Sequence, residues 1–175
     1  QAFVNPLWGS RSLDLLQQGI PFEDILSTLK QEDLAREMRQ FHGIGKAGEI
    51  VQHTGSECVN WAGHIKGENV SVAGNLLMGP HVIEETIDAW NTNADTEFAE
   101  RLLLAMEAGE AAGGDKRGKQ AAAIKIYRGQ PYPDLDLRVD DHADPLQELR
   151  RLLRVAHEQY MIFKTGFPTT ENFSG

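Results

Sequence analysis

One short glycine-rich cationic run, Gly113–Gln120, limits the folds open to this chain. Its letters fit the phosphate-loop pattern G-x-x-x-x-G-K, although Gln120 stands where a Ser or Thr hydroxyl would hold magnesium. A phosphate loop follows a strand and opens a helix, so that backbone N–H groups face the phosphates. Here a helical pattern precedes the run, and a strand-like segment, 121–127, follows it. The run is therefore predicted to be a helix exit, which argues against nucleotide binding.

Two interpretations of this run stay open. In the first, its glycines cap the helix, while Lys116, Arg117 and Lys119 complement the negative C-terminal end. In the second, Asp115, Arg117 and Gln120 supply an acceptor, a bidentate guanidinium and an amide that hold a carboxylate or amide substrate. Asp115 can also pair with Arg117 and fix the loop.

A second glycine motif, Gly43–Gly48, matches the dinucleotide fingerprint G-x-G-x-x-G. That fingerprint needs a helix after the glycines, whereas Glu49–Thr54 is rich in β-branched residues and ends at Gly55. The segment before the motif, Glu37–His42, can alternate as a strand. The motif is therefore predicted to be a β-hairpin turn.

Composition fits one globular domain, which we place at residues 1–160, with an irregular tail at 161–175. The formal net charge of −9 argues against a nucleic-acid partner, and no apolar run approaches the length of a membrane span. Cys58 is the single cysteine and cannot form an internal disulfide. We expect no cofactor. The sequence leaves the compartment open, and a soluble, cytoplasmic protein is the expectation.

Hydrophobic periodicity and turn residues predict a mixture of helices and strands. The predicted helices are Arg11–Gln18, one from Pro21, one from Pro80, about Asp95 to Ala112, and one from Pro145. The predicted strands are Glu37–His42, Glu49–Thr54, Ala62–Lys66, Val70–Ala73, Ala121–Tyr127 and Leu135–Asp140. Strand groups separated by pairs of helices indicate the α+β class. The N-terminus supplies no evident strand of its own.

Polar residues gather at the ends of two of these strands. Asn75 follows Gly74, where its amide could donate to an oxyanion or satisfy a turn. Arg138, Asp140, Asp141 and His142 form the densest polar cluster and are candidate substrate contacts. A metal site from Asp140, His142 and Asp144 is conceivable, but Asp144 before Pro145 is favoured as a helix N-cap, and we assign no metal.

Five motifs spanning residues 1 to about 157 resemble one known family, catalogued as domain of unknown function 1028 and placed among the Ntn-hydrolase-like proteins. They are Gln1-Ala2-Phe3-Val4-Asn5-Pro6-x-x-Gly9, Thr54-Gly55-x-x-Cys58-x-x-Trp61-Ala62-Gly63, Gly74-Asn75-Leu76-Leu77, Ala111-Ala112-Gly113-Gly114-Asp115-x-Arg117-Gly118-x-Gln120 and Asp136-Leu137-Arg138-Val139-Asp140-Asp141-His142-x-Asp144-Pro145. The resemblance implies an Ntn-hydrolase-like αββα four-layer sandwich. It also implies that an N-terminal β-hairpin precedes the Gln1 motif in family members, so the chain corresponds to the family without that hairpin.

The resemblance implies an Ntn-type hydrolase acting on an amide bond. In such enzymes an N-terminal Thr, Ser or Cys is the nucleophile, and Gln1 cannot take that role. Ser10, Ser56 and Cys58 are the internal candidates. Relatives joined to peptidoglycan-binding modules point to cell-wall amides.

We expect Asn75 and Asp115 to be catalytic, with Arg117, Gln120, Arg138, Asp140, Asp141 and His142 binding a small-molecule or peptide amide. The alternative is a non-catalytic binding or assembly domain. An incomplete sandwich would expose apolar sheet surface, so we also expect a homo-oligomer or association with the missing N-terminal segment.

Overall fold

A computed structural model describes residues 2–174 of the chain. Gln1, which opens the first family motif, and Gly175, which ends the expected tail, lie outside the described residues. The fold belongs to the α+β class, as predicted. Its helices are α1 (Leu7–Gln17), α2 (Phe22–Glu32), α3 (His81–Thr92), α4 (Phe98–Ala111) and α5 (Pro145–Val155). Its strands are β1 (Gln40–Ile44), β2 (Ile50–Thr54), β3 (Gly63–Gly67), β4 (Val70–Gly74), β5 (Ala122–Ile126) and β6 (Leu135–Val139).

The described strands form three antiparallel hairpins, β1–β2, β3–β4 and β5–β6. In the first, Gln40 pairs with Thr54 and Ile44 pairs with Ile50, so the turn falls within the glycine motif. The prediction of a hairpin turn at Gly43–Gly48 is therefore confirmed.

The chain divides into two compact units. The described part of unit 1 runs to Ala89 and resumes over Ala108–Arg117, and unit 2 comprises Trp90–Glu107 and the described part after Gly118. The core of unit 1 is built by α1, α2 and β2. Its buried members are Trp8, Phe22, Ile25, Leu26, Leu29 and Val51.

Unit 2 has its own hydrophobic core, formed by α4, the hairpin β5–β6 and α5. Its buried members are Ala99, Leu103, Ile124, Ile126, Leu135, Val139, Leu149, Leu153 and Ala156. Arg150 joins α5 to α4 by binding the carboxylates of Glu100 and Glu107 at 2.6 and 2.7 Å. Beyond α5 the chain forms a π-helical turn, Ala156–Tyr160, and a 3-10 helix, Met161–Gly166, before its irregular tail.

Two helix starts differ from the sequence prediction, and in each a side chain binds free backbone N–H groups of the first turn. Helix α1 starts at Leu7 rather than Arg11; its N-cap residue is Pro6, and the side-chain oxygen of Asn5, one position earlier, accepts a hydrogen bond from the Leu7 N–H. Helix α4 starts at Phe98 rather than Asp95, since the Glu97 carboxylate accepts from Ala99 N and Glu100 N. The predicted strand start at Glu37 is also wrong, because Arg36–Met38 forms a 3-10 turn and β1 begins at Gln40.

No helix among residues 2–174 combines the length and the apolar character needed to cross a bilayer.

Candidate functional site

Four polar side chains share one face of the hairpin β1–β2. Residues that alternate along a strand point to the same face, and the register places Gln40 opposite Thr54 and His42 opposite Gln52. All four side chains hydrogen-bond to groups of the hairpin β3–β4. The two hairpins therefore meet through polar contacts rather than through an apolar layer.

Gln40 lies at the centre of these contacts and is buried. Its side-chain nitrogen lies 3.0 Å from Thr54 Oγ1 and 3.0 and 2.9 Å from the carbonyl oxygens of Gly63 and Gly74. Its side-chain oxygen accepts a hydrogen bond from Asn75 Nδ2 at 3.2 Å. The amide of Gln40 thus links both hairpins and Asn75, the predicted oxyanion donor.

A hydroxyl and an imidazole meet at the opposite end of this polar face. Ser71 Oγ lies 2.7 Å from His42 Nδ1, and Gln52 Nε2 donates to the same hydroxyl oxygen at 2.9 Å. Gln52 also donates to the carbonyl of Ile65. With the proton of His42 on Nε2, Ser71 donates its hydrogen to Nδ1. This is the contact that a hydroxyl nucleophile needs with a general base.

A second hydroxyl–imidazole pair joins Thr54 and His64, with 2.8 Å between Oγ1 and Nδ1. Thr54 also accepts from Gln40, so a hydrogen-bond chain runs from Asn75 through Gln40 and Thr54 to His64. In that chain the Thr54 hydroxyl accepts from the Gln40 amide and contacts the His64 imidazole. The chain therefore connects the Asn75 amide to His64.

Both imidazoles favour the neutral form. Burial is the main cause that lowers the pKa of His42, and the neighbouring His64 adds to it. Burial also lowers the pKa of His64, together with the charges of His53 and Lys66. Both residues remain exposed to solvent, so the lowering comes from the part of each side chain that packs against the protein. Both bases are therefore available at neutral pH.

A cavity of about 340 Å³ lies beside His42 in unit 1. Its described lining comes from the segment before α1, from α1 itself and from β1. The lining residues are Val4, Asn5, Pro6, Trp8, Gly9, Arg39, Gln40, Phe41 and His42. A substrate in this cavity would contact the base of the Ser71–His42 pair.

Asp33 positions the N-terminal wall of the cavity. Its carboxylate accepts from Asn5 Nδ2 and Trp8 Nε1 at 2.9 Å each, and it pairs with Arg39 Nε at 2.9 Å. The Arg39 guanidinium is the first cause that holds the pKa of Asp33 far below its usual range, and the Asn5 amide is the second. Asn5, a member of the first family motif, thus has a structural role as a hydrogen-bond partner of the Asp33–Arg39 ion pair.

The glycine-rich run ends α4 with a Schellman motif. Gly113 N donates to the Glu110 carbonyl at 2.9 Å, Gly114 N donates to the Gly109 carbonyl at 3.1 Å, and Gly113 has a φ of +116°. The capping interpretation is therefore confirmed for the glycines. Its cations act elsewhere: Lys116 Nζ donates to the carbonyl of Asn60 at 3.0 Å.

Asp115 and Arg117 bind each other. Arg117 Nε and Nη2 donate to the two oxygens of Asp115 at 2.9 and 2.6 Å, and this contact is the first cause that lowers the pKa of Asp115. Lys116 N donates to the Leu76 carbonyl, so the loop pairs with the segment that follows Asn75. Asn75, Asp115 and Arg117 therefore lie on adjoining segments of unit 1. The Arg117 side chain is 70% exposed and open to a ligand.

The other predicted substrate contacts lie in unit 2. Gln120 Nε2 donates to Asp141 at 3.2 Å, and Arg138 pairs with Asp140 at 2.7 Å on the surface. His142 is fixed locally, because its Nδ1 accepts from Asp144 N at 3.0 Å. The Asp144 side chain accepts from the N–H of Gln147 and caps α5, as favoured over a metal ligand.

The three internal nucleophile candidates have structural partners. Ser10 donates to the carbonyl of Leu7, and Ser56 donates to the carboxylate of Glu37. Cys58 is buried and donates to the carbonyl of Arg39, and burial raises its thiol pKa, which disfavours the reactive thiolate. Among residues 2–174, no group of three or more His, Cys, Asp and Glu side chains is arranged to hold a metal ion.

The sequence did contain a signal for the Ser71–His42 pair. Gln40 and His42 flank the apolar Phe41, and Gln52 follows Val51, on two strands joined by a predicted turn, which is part of the pattern of a polar hairpin face. Their partners on β3 and β4 follow only from how the hairpins pack. Periodicity within one strand does not determine that packing.

Comparison with known proteins identifies a family and solved structures that this chain resembles. A family model described as "Family of unknown function (DUF1028)" matches residues 1–149. The crystal structure of protein SPO2555 from Silicibacter pomeroyi, assigned to the same family model, is 27% identical with a TM-score of 0.85, and the match covers 98% of this chain and 76% of that chain. No curated protein matches.

Proposed function

Because this chain belongs to the DUF1028 family, whose function is unknown, we propose from its own geometry that it hydrolyses an amide bond. The observation that supports the proposal is the 2.7 Å contact between Ser71 Oγ and His42 Nδ1 beside a cavity that His42 lines. An activated hydroxyl is the requirement of acyl transfer. The predicted Ntn-type reaction uses an N-terminal nucleophile, whereas this proposal uses an internal serine.

The proposed reaction has two acyl-transfer steps. Ser71 Oγ attacks the substrate carbonyl carbon while His42 Nδ1 takes the hydroxyl proton, and the C–N bond breaks as His42 returns that proton to the leaving amine. Water then attacks the acyl ester with His42 as base, which releases the acid and restores Ser71. Gln52 Nε2 holds the hydroxyl oxygen for the attack.

Asn75 takes a positioning part in this proposal. It lies four residues after Ser71, and at about 3.3 Å per extended residue its Cα is about 13 Å away along β4. Its amide instead donates to Gln40, which binds both hairpins. Asn75 would then support the polar face on which the Ser71–His42 pair depends.

The test is hydrolysis of a panel of N-acyl amides and anilides by the wild type and by Ser71→Ala and His42→Gln. Each variant should lower kcat/KM at least a hundredfold, as expected when a nucleophile or its base is lost. Ser10→Ala, an exposed serine on α1, is the matched control and should keep wild-type activity. Unchanged hydrolysis by Ser71→Ala would refute the proposal.

A second candidate, a binding or assembly domain, is supported by exposed aromatic side chains near the C-terminal end of unit 2. Tyr160, Phe163, Phe167 and Phe173 are each about half exposed or more. Such apolar surface favours association of two copies. Light scattering tests it: a dimer that Phe163→Ser dissociates supports assembly, and a monodisperse monomer counts against it.

A further inference from the structure

The cavity beside His42 has an apolar lining on several sides. Val4, Pro6, Trp8 and Phe41 line it, and the rings of Trp8 and Phe41 meet edge to face at 5.8 Å. Trp8 is only 4% exposed, so its ring is held rigidly by the core of unit 1. A rigid apolar wall of this kind favours aromatic or branched aliphatic groups.

The charge in the lining is neutralised by the protein itself. Of the described residues that line the cavity, Arg39 and His42 are ionisable. The guanidinium of Arg39 pairs with Asp33 and donates to the Phe3 carbonyl at 2.5 Å. The pKa of His42 is lowered by burial, so it is neutral near pH 7. The cavity therefore offers little net charge to attract a carboxylate or an ammonium group.

The side-chain amides of Asn5 and Gln40, which line the cavity, already have hydrogen-bond partners within the protein. Asn5 donates to Asp33 and accepts from the Leu7 N–H. Gln40 binds Thr54 Oγ1, two backbone carbonyls and Asn75. A ligand that needed these amides would have to break the contacts of Gln40 between the two hairpins or those of Asn5 with Asp33 and Leu7, which costs about 1–3 kcal/mol for each polar group left unpaired. Ligands without polar substituents avoid that cost.

We propose that this cavity binds an uncharged aromatic or branched aliphatic group, and that this group belongs to the amide that Ser71 and His42 cleave. The second half of this statement rests on the proposed function, whereas binding itself does not. The volume, about 340 Å³, lies at the lower end of the range for small-molecule sites. It accommodates one ring with its linking amide.

Gly9 gives a way to reduce the cavity without disturbing the protein. It lies on α1 and lines the cavity, and a Cβ added there would meet no described atom within 4 Å. A leucine at this position suits a helix and would extend at the cavity rim. Gly166 is a matched control, because an added Cβ there also meets no described atom and Gly166 lies in the other unit.

The experiment measures binding in the Ser71→Ala protein, so that ligands stay intact. The protein is labelled with 5-fluorotryptophan, and the three ¹⁹F resonances of Trp8, Trp61 and Trp90 are assigned by single Trp→Phe variants. Phenylacetamide and isovaleramide should shift the Trp8 resonance saturably. Phenylacetate, which differs from phenylacetamide by a charged carboxylate, should bind at least tenfold more weakly.

Three variants distinguish binding in this cavity from nonspecific binding to the protein surface. Gly9→Leu should weaken phenylacetamide binding at least tenfold, and Gly166→Leu should leave it unchanged. Val4→Lys places a cation on an exposed lining residue and should strengthen phenylacetate binding relative to phenylacetamide. Equal binding of phenylacetate and phenylacetamide by the Ser71→Ala protein that keeps Val4, or phenylacetamide binding that Gly9→Leu does not change, would overturn the proposal.

Hydrolysis data distinguish this inference from the proposed function. If the amides bind as described while no variant at Ser71 or His42 affects hydrolysis, the cavity stands as a binding site and the catalytic proposal fails. If hydrolysis depends on Ser71 but the Trp8 resonance does not respond to any amide, the catalytic proposal stands and the cavity inference fails.

Discussion

Ser71 Oγ lies 2.7 Å from His42 Nδ1, although 29 residues separate the two along the chain. The contact exists because polar faces of two hairpins meet in unit 1, and Gln52 holds the same hydroxyl at 2.9 Å. The proposed hydrolysis depends on this contact between Ser71 and His42.

The kcat/KM of amide hydrolysis should fall in mildly acidic solution. Burial lowers the pKa of His42 below the ordinary value of about 6.5 for histidine, so the neutral base persists at neutral pH. The logarithm of kcat/KM should be level near pH 7 and fall in an acid limb whose midpoint lies below pH 6.5. His64→Gln, which removes the second imidazole, should keep that acid limb. A limb centred above pH 7, or one abolished by His64→Gln, would contradict the assignment of His42 as base.

Asp33→Asn should destabilise the protein by about 3 kcal/mol, the order expected when a largely buried ion pair loses one partner. The side chains of Asp33 and Arg39 are only 11% and 12% exposed. Urea unfolding at pH 7 measures the loss. Asp140→Asn breaks the exposed pair with Arg138 and should leave stability unchanged within error. Equal losses of stability in the two variants would show that the Asp33–Arg39 pair stabilises the protein no more than an exposed ion pair does.

The stability lost in Asp33→Asn should depend on pH. The pKa of Asp33 is lowered in the folded protein relative to about 3.9 in an unfolded chain, so its stabilisation is complete above that value. As pH falls further, the unfolded state takes up the proton first and the stabilisation is lost. The stability difference between wild type and Asp33→Asn should therefore narrow below about pH 4. A difference that widens in acid would contradict the sign of the shift.

Gly113→Ala should destabilise the protein by about 1–2 kcal/mol. Gly113 has a φ of +116°, which a residue with a Cβ rarely adopts, and the new Cβ would lie 3.0 Å from Met78 Cβ. Thermal or urea unfolding measures the change. Gly166→Ala, where no positive φ or close contact applies, should be nearly neutral. A neutral Gly113→Ala would argue against the Schellman end of α4.

Arg117→Ala should weaken substrate binding and leave the fold intact. The Arg117 side chain is 70% exposed and contacts Asp115, so its removal costs the core nothing. KM should rise severalfold for amides long enough to reach this run from Ser71, with an unchanged unfolding midpoint. Lys125→Ala removes another exposed cation, one paired with Asp136, and should change neither quantity. An unchanged KM in Arg117→Ala would leave the run with its capping role alone.

Much of the fold follows from local sequence. The hairpin turn at Gly43–Gly48, the Pro145 helix start with Asp144 as its cap, and the helix exit at Gly113 each depend on residues a few positions apart. Helix α1 begins four residues before its predicted start. Its first N–H, that of Leu7, is bound by the side chain of Asn5, and apolar periodicity carries no information on such a contact.

The candidate site was less accessible from sequence. The sequence places Asn75 directly after a strand, but its partner Gln40 is 35 residues away, and the contact depends on packing between hairpins. Ser71 lies between Val70 and Val72, and this pattern predicts a strand without indicating a nucleophile. Its pairing with His42 results from tertiary register. No motif spacing encodes that register, so a hydroxyl nucleophile could be sought only once the hairpins were seen together.

The most direct test of the central claim is covalent labelling of the intact protein with a fluorophosphonate, which reacts with activated serine hydroxyls. The account predicts a single adduct on Ser71, located by tandem mass spectrometry, that is abolished by Ser71→Ala and strongly reduced by His42→Gln but not by His64→Gln. An adduct on another serine, or labelling of Ser71 that is indifferent to His42, would contradict it.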